Sequence, residues 1–263
     1  MAGPRRTHAQ ARAEMREGII RVGNALLAQN GAAGLSVRAI ARELGVASSA
    51  LYRHVSSRDE LLTLLLVEAY SELAGRVEAA LMGAEAPTGA DSGAEEGVAE
   101  SGPPPTRAIP EEGAGREGRA ASAAVRLAVL VRAMRGWACE NPEKWALVYG
   151  SPVPGYAAPP ERTVGPGTAV LGRFMAILAE GSGAGETEPE PSERYGKALA
   201  AGSEELGVEV PVRTAAASAE VWTGLLGLIS AEVFRQLGAD LAEHGEEMLE
   251  LWTAEVVRRF GLE

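Results

Sequence analysis

Apolar residues recur at helical spacing along the first third of the chain, and short polar or glycine-containing breaks cut the pattern into pieces. Ile19, Ile20, Val22, Leu26 and Leu27 give a first helix one apolar side, and Gly31 ends it. Ser36 stands where an N-cap belongs, flanked by Leu35 and Ile40 at the spacing of a hydrophobic staple. Val37, Ile40, Ala41 and Leu44 follow at i, i+3, i+4 and i+7, one face of a short second helix. Gly45 can take the left-handed conformation that closes it. A third short helix, from 47 or 48 to about 55, buries Leu51. Ser57-Arg58-Asp59-Glu60 is a capping box that opens a long helix over about 61–81.

Beyond residue 82 the pattern changes. Residues 83–120 hold eight Gly, five Pro and eight acids, with Val98 and Ile109 as the only large apolar residues. That surface cannot offset ordering entropy, so a disordered acidic insertion is expected. A second loop is expected over about 181–212, opening with the polar run GSGAGETEPEPSERYG. Asn141-Pro142-Glu143 supplies a cap, a proline at the first helical position and an acid in the first turn. SPVPGYAAPPE, residues 151–161, predicts a rigid extended segment walling one side of a cavity. Two long helices, about 213–237 and 239–260, close the chain. No alternating β pattern is sustained, so the chain is predicted to be all-α. Its expected division is 10–62, a three-helix domain of helix-turn-helix proportions, and 63–263, a second helical domain.

Composition sharpens this picture. The chain has 263 residues, 46% of them hydrophobic and 23% charged, which permits a sizeable core. No apolar run reaches membrane-span length and no signal-peptide pattern opens the chain, so a cytoplasmic protein is expected. A single cysteine, Cys139, excludes an internal disulfide, and three scattered histidines argue against a metal site. No metal and no cofactor are predicted, and Cys139 is expected to be a small buried hydrophobe. The net charge of -11 argues against nucleic acid when taken whole. Residues 1–60, however, carry nine arginines against five acids, a local charge of +4, whereas the rest carries 16 bases against 31 acids, or -15. Phosphate binding depends on the local field, screened over about 8 Å, so the acidic remainder does not prevent it.

Two short helices joined by a glycine turn have the proportions of a helix-turn-helix, although periodicity alone fits an ordinary three-helix corner equally well. The residues themselves go further. NGAAGLSVRAIARELGVASSALYRHVSSRDELL, residues 30–62, resembles the DNA-binding domain of TetR-family transcriptional regulators. The likeness spans about 15–70. It departs from the common pattern at Asn24, at Leu27 and at Ala47, where a serine or threonine normally caps the recognition helix and the cap could shift to Ser48. The resemblance implies an all-helical homodimer bound to operator DNA. Position by position it implies Tyr52, His54 and Arg58 as phosphate contacts, with Arg53 beside them. Ser36, Val37, Arg38, Ser48 and Ser49 become candidates for bases or nearby phosphates. Tyr52 packed on the first helix, His54 as a solvated helix end and Arg38 paired with an acid are the structural alternatives.

Trp137, NPEKWALVYGSPVPGYAAPPE (141–161) and VWTGLLGLISAEVFRQLG (221–238) resemble the C-terminal domain of the WHG subgroup of that family. Met134, Trp137, Trp145, Tyr149, Phe174, Trp222 and Leu226, with Met175 and Phe234 beside them, form an apolar and aromatic set suited to a ligand pocket or, more plainly, to a core. Trp137 and Tyr149 are the first pocket candidates, for an unidentified small-molecule effector. The resemblance further implies that the last two helices meet a twofold mate through Leu225, Ile229, Val233, Trp252 and Val256, intrachain burial being the alternative. No triad, carboxylate pair or phosphate-cradling loop is present, so an enzyme is not expected. A ligand-responsive repressor is expected, with a ligand-insensitive DNA-binding protein or an activator as alternatives.

Overall fold

The computed structural model describes residues 8–85, 121–183 and 188–263. The described chain is helical, without a strand. Helix α1 (His8–Asn30) ends at Gly31 and a single 3-10 turn, Ala32–Gly34. Helix α2 (Val37–Glu43) follows, capped by Ser36, whose side-chain oxygen accepts from the Ala39 amide at 3.0 Å. Gly45, at φ 67°, makes the turn into α3 (Ser48–Leu51). Ala47 occupies the N-cap of α3 and offers no side-chain bond, so the cap does not move to Ser48. The chain past Leu51 stays coiled as far as Val55, whose amide donates to the Leu51 carbonyl at 3.0 Å.

Helix α4 (Arg58–Glu85) starts three residues before the predicted 61. Ser57 accepts from the Glu60 amide at 3.0 Å, one half of the predicted capping box. The Glu60 carboxylate completes it one residue further back than expected, accepting from both the amide and the hydroxyl of Ser56. One apolar stripe runs the length of α4. Leu61, Leu62 and Leu65 join Ile19, Val22, Leu35, Ile40, Leu51 and Val55 in a small N-terminal core, while Leu73, Val77 and Leu81 enter a second, larger core. We refer to these units as the head and the body.

The body comprises α5 (Ala123–Glu140), α6 (Pro142–Tyr149), α7 (Pro160–Ala179), α8 (Glu193–Glu205), α9 (Val212–Val233), α10 (Gly238–Ala242) and α11 (Gly245–Phe260). Helix α5 lies at its centre, touching α4, α6, α7, α9 and α11. The predicted second loop over 181–212 is corrected here, since it contains α8. Ser192 caps that helix, whose fully buried residues are Gly196 and Ser203, with Leu199 half-buried between them. It lies on α9, where Gly196 comes so close to Val212 that a Cβ would meet the side chain at 3.1 Å. The acidic insertion expected at 83–120 falls almost wholly outside the described residues, and 83–85 continue α4.

Segment 151–159 is irregular, as the prolines predict, and folds back onto the head. Val153 and Tyr156 pack on the head core, together with Leu147 of α6. The Thr63 hydroxyl lies 2.9 Å from the Asp59 carbonyl and 2.9 Å from the Tyr156 hydroxyl. Thr63 has one proton and gives it to the carbonyl, so Tyr156 is the donor to Thr63. Body and head are thus joined by an apolar patch and a partly buried hydroxyl pair.

Candidate nucleic-acid interface

The two short helices expose one continuous polar surface. On α3 and the turn after it, Ser49, Tyr52 and Arg53 face solvent at helical spacing, while Leu51 and Val55 turn inward. Tyr52 is 43% exposed, which disposes of the alternative that it packs on α1. Arg38 and Arg42 are exposed on α2, and neither forms an ion pair with a described residue, so Arg38 is not held by Glu43. Ser48 and His54 are half-buried at the two ends of this surface.

Three predicted contacts look different in the structure. Val37 is 5% exposed and belongs to the head core, so its side chain cannot reach DNA; this corrects its assignment as a contact. As the first residue of α2, it follows the cap and points its side chain inward. Ser36 uses its hydroxyl to cap α2. Arg58 is half-buried and donates to the Ala32 carbonyl at 2.8 Å, bracing the 3-10 turn against the start of α4.

A group that sequence reasoning missed lies beside His54. Arg12 and Arg16, one helical turn apart on α1, face a cleft of about 390 Å3 with His54 and with Arg162 from the start of α7. Glu60 is the acid in its lining. Hydrogen bonds from Ser56 hold the Glu60 carboxyl below the usual carboxylate range, and the charge of Arg162 adds to the effect. Arg16 also pairs with Glu68 at 3.3 Å. The i, i+4 spacing of Arg12 and Arg16 was visible in the sequence, whereas Arg162 lies 146 positions after Arg16 and gave no local signal.

The expected ligand set does converge, but as core. Met134, Trp137, Trp145 and Phe174 are at most 2% exposed, Trp222 is 9% exposed, and Tyr149 and Leu226 pack against them. The Trp145 ring lies 4.6 Å from that of Tyr149, tilted by 52°, and donates its indole N–H to Ser230 at 3.0 Å. Phe174 lies 5.3 Å from Trp222. Burial raises the Tyr149 phenol well above its ordinary range, with the neighbouring Tyr70 contributing. One polar atom of the set is left over: Trp137 Nε1 is buried with no hydrogen-bond partner among the described residues.

The expected interface residues are also largely internal. Leu225 and Ile229 are fully buried and Val256 is 2% exposed, while Val233 and Trp252 lean on the same core. Leu225, Ile229 and Val256 are therefore taken up by intrachain packing, whereas Val233 and Trp252 keep part of their surface exposed. Large apolar side chains left in solvent near them are Phe234, Leu237, Leu241 and, at 68%, Leu251. Cys139, expected to be buried, is exposed near the end of α5. Partial desolvation and the adjacent Glu232 carboxylate raise its thiol pKa, which disfavours the reactive thiolate.

Two family models match the chain. One, described as "Bacterial regulatory proteins, tetR family", covers residues 19–65, and the other, "Tetracyclin repressor-like, C-terminal domain", covers 127–256. Among curated proteins, the HTH-type transcriptional regulators Rv1816 of Mycobacterium tuberculosis and Mb1846 of Mycobacterium bovis are each 41% identical over 237 residues, spanning 88% of this chain and 86% of theirs. Among solved structures, the regulatory protein SCO4313 is 24% identical with a TM-score of 0.63, covering 96% of this chain and 99% of its own. A protein of unknown function from Rhodococcus sp. RHA1 is 20% identical with a TM-score of 0.55, covering 92% and 94%. These two speak for the fold.

Proposed function

From a chain that belongs to the TetR family of bacterial transcriptional regulators, and so carries a helix-turn-helix DNA-binding domain, we propose a ligand-responsive repressor acting as a homodimer on a roughly palindromic operator. The observation that carries the DNA-facing part is the exposed row Arg38, Ser49, Tyr52 and Arg53 on a head whose other face is entirely core. Ser49 is small enough to let α3 approach base edges, and Arg38 has the fork geometry for a guanine edge. Tyr52, Arg53 and His54 serve phosphates, with Arg12 and Arg16 extending that track. Arg58 acts chiefly by holding the 3-10 turn in place.

Dimerisation is assigned to the exposed apolar residues Phe234, Leu237, Leu241 and Leu251, in place of the buried ones the sequence suggested. A twofold pair would present two α3 helices about 34 Å apart, one turn of DNA. The unpartnered indole N–H of Trp137 supports an effector that is apolar and carries one hydrogen-bond acceptor. Release from DNA requires the effector to favour a pose of the heads that no longer matches the operator. No described helix is long and apolar enough to cross a membrane, and the proposed place of action is the nucleoid. The test is a gel shift on the DNA upstream of the protein's own coding region, repeated with a metabolite panel. A retarded complex dissolved by at least one apolar compound is expected; a complex indifferent to every compound that thermally stabilises the protein would overturn the repressor-release reading.

A further inference from the structure

A second cleft, of about 370 Å3, opens where head and body meet. Its walls include Leu27 and Ala32 of the head and Leu147, Val153 and Phe234 of the body. Glu143 is the only ionisable side chain among its lining residues. It is half-buried in the first turn of α6 and pairs with no described cation, and the adjacent Lys144 is committed to Glu72 at 2.6 Å. An ionised group on an apolar wall without a counter-charge is unfavourable, and a cation relieves it.

We infer that this cleft is a binding site for an organic cation with an apolar body, its ammonium group on Glu143 and its hydrocarbon against Leu27, Leu147 and Val153. The site is distinct from the aromatic core set around Trp137. It touches the head through Ala32, whose carbonyl already receives the Arg58 guanidinium at the start of α4. An occupant there contacts both units at once and sets the pose of the head on the body. Cation binding therefore alters operator affinity, a consequence that rests on the DNA-binding role proposed above.

Three probes with one hydrocarbon body separate the contributions: 4-phenylbutylammonium, 4-phenylbutan-1-ol and 4-phenylbutyrate, titrated calorimetrically into the full chain. The cation is expected to bind at least tenfold more tightly than the alcohol, and the anion weakest of all. E143Q is expected to erase the preference for the cation, and A146M, which fills the cleft, to weaken cation and alcohol alike. Equal binding of cation and alcohol, or a preference that survives E143Q, would overturn the site. The cation is also expected to shift operator affinity at least threefold in wild type and not in E143Q. Binding without that shift would overturn the regulatory part, while operator binding by the ligand-free chain reports on the DNA-binding reading separately.

Discussion

Replacing Tyr156 by phenylalanine removes one oxygen and tests how head and body are joined. In the structure its hydroxyl donates to Thr63, which is 2% exposed and gives its own proton to the Asp59 carbonyl. Deleting the tyrosine hydroxyl therefore orphans no buried donor, and the loss is that of one ordinary hydrogen bond, about 1 kcal/mol. T63A loses the same bond, the Thr63 bond to the Asp59 carbonyl and a buried methyl group worth about 0.8 kcal/mol, part of which alanine's better helix propensity returns. If the two hydroxyls bond only to each other across this contact, the double variant shows a coupling of about 1 kcal/mol. Urea unfolding of the four proteins at one fixed chain concentration gives the cycle, the fixed concentration removing any effect of association. A coupling below about 0.3 kcal/mol would refute the bond and, with it, the description of Tyr156 as a tie between body and head.

Three further outcomes follow from particular contacts. A47S supplies the side-chain acceptor that the α3 N-cap lacks, and should raise head stability by about 1 kcal/mol in thermal or urea unfolding; no gain would contradict the assigned cap. The lowered pKa of Glu60 means that its contribution is complete above the ordinary carboxylate range and is lost as pH falls through the lowered folded-state value. Wild type should accordingly exceed E60Q in stability near neutral pH, and the gap should close as pH drops below about 4; a gap independent of pH would count against the Ser56 bonds. L251K should leave a folded monomer by light scattering, because that side chain is 68% exposed, whereas V256K should fail to fold, because Val256 is 2% exposed. A dimeric L251K would move the interface elsewhere.

The head was legible in the sequence because its signals are local. Ser36, Gly45 and Ser57 each act within a few residues of where they stand, so the helix boundaries of the head can be read locally. The body was legible only as apolar stripes, which say that a face is covered and not what covers it. Leu225, Ile229 and Val256 accordingly looked like an interface and proved to be core. Helix α8 was missed because its fully buried residues, Gly196 and Ser203, are small or polar and the segment opens in a Gly-, Pro- and Glu-rich run that reads as a loop. Val37 was carried along with its DNA-facing neighbours, although the 3.6-residue period already placed it on the same face as Ile40 and Ala41. The docking of Val153 and Tyr156 onto the head, and the meeting of Arg162 with Arg12 and Arg16, depend on contacts more than 90 residues apart, beyond any local pattern.

The central claim is that the exposed surface of α2 and α3 reads operator DNA. Fluorescence anisotropy with the duplex upstream of the protein's own coding region and a scrambled duplex, between about 50 and 200 mM salt, tests it most directly. The upstream duplex is expected to bind about a thousandfold more tightly or better. Tyr52→Ala and Arg53→Ala should each weaken binding without unfolding the protein, and Arg53→Ala should lower the log–log salt slope by about 1. Equal affinity for both duplexes, or titrations untouched by either substitution, would contradict the account.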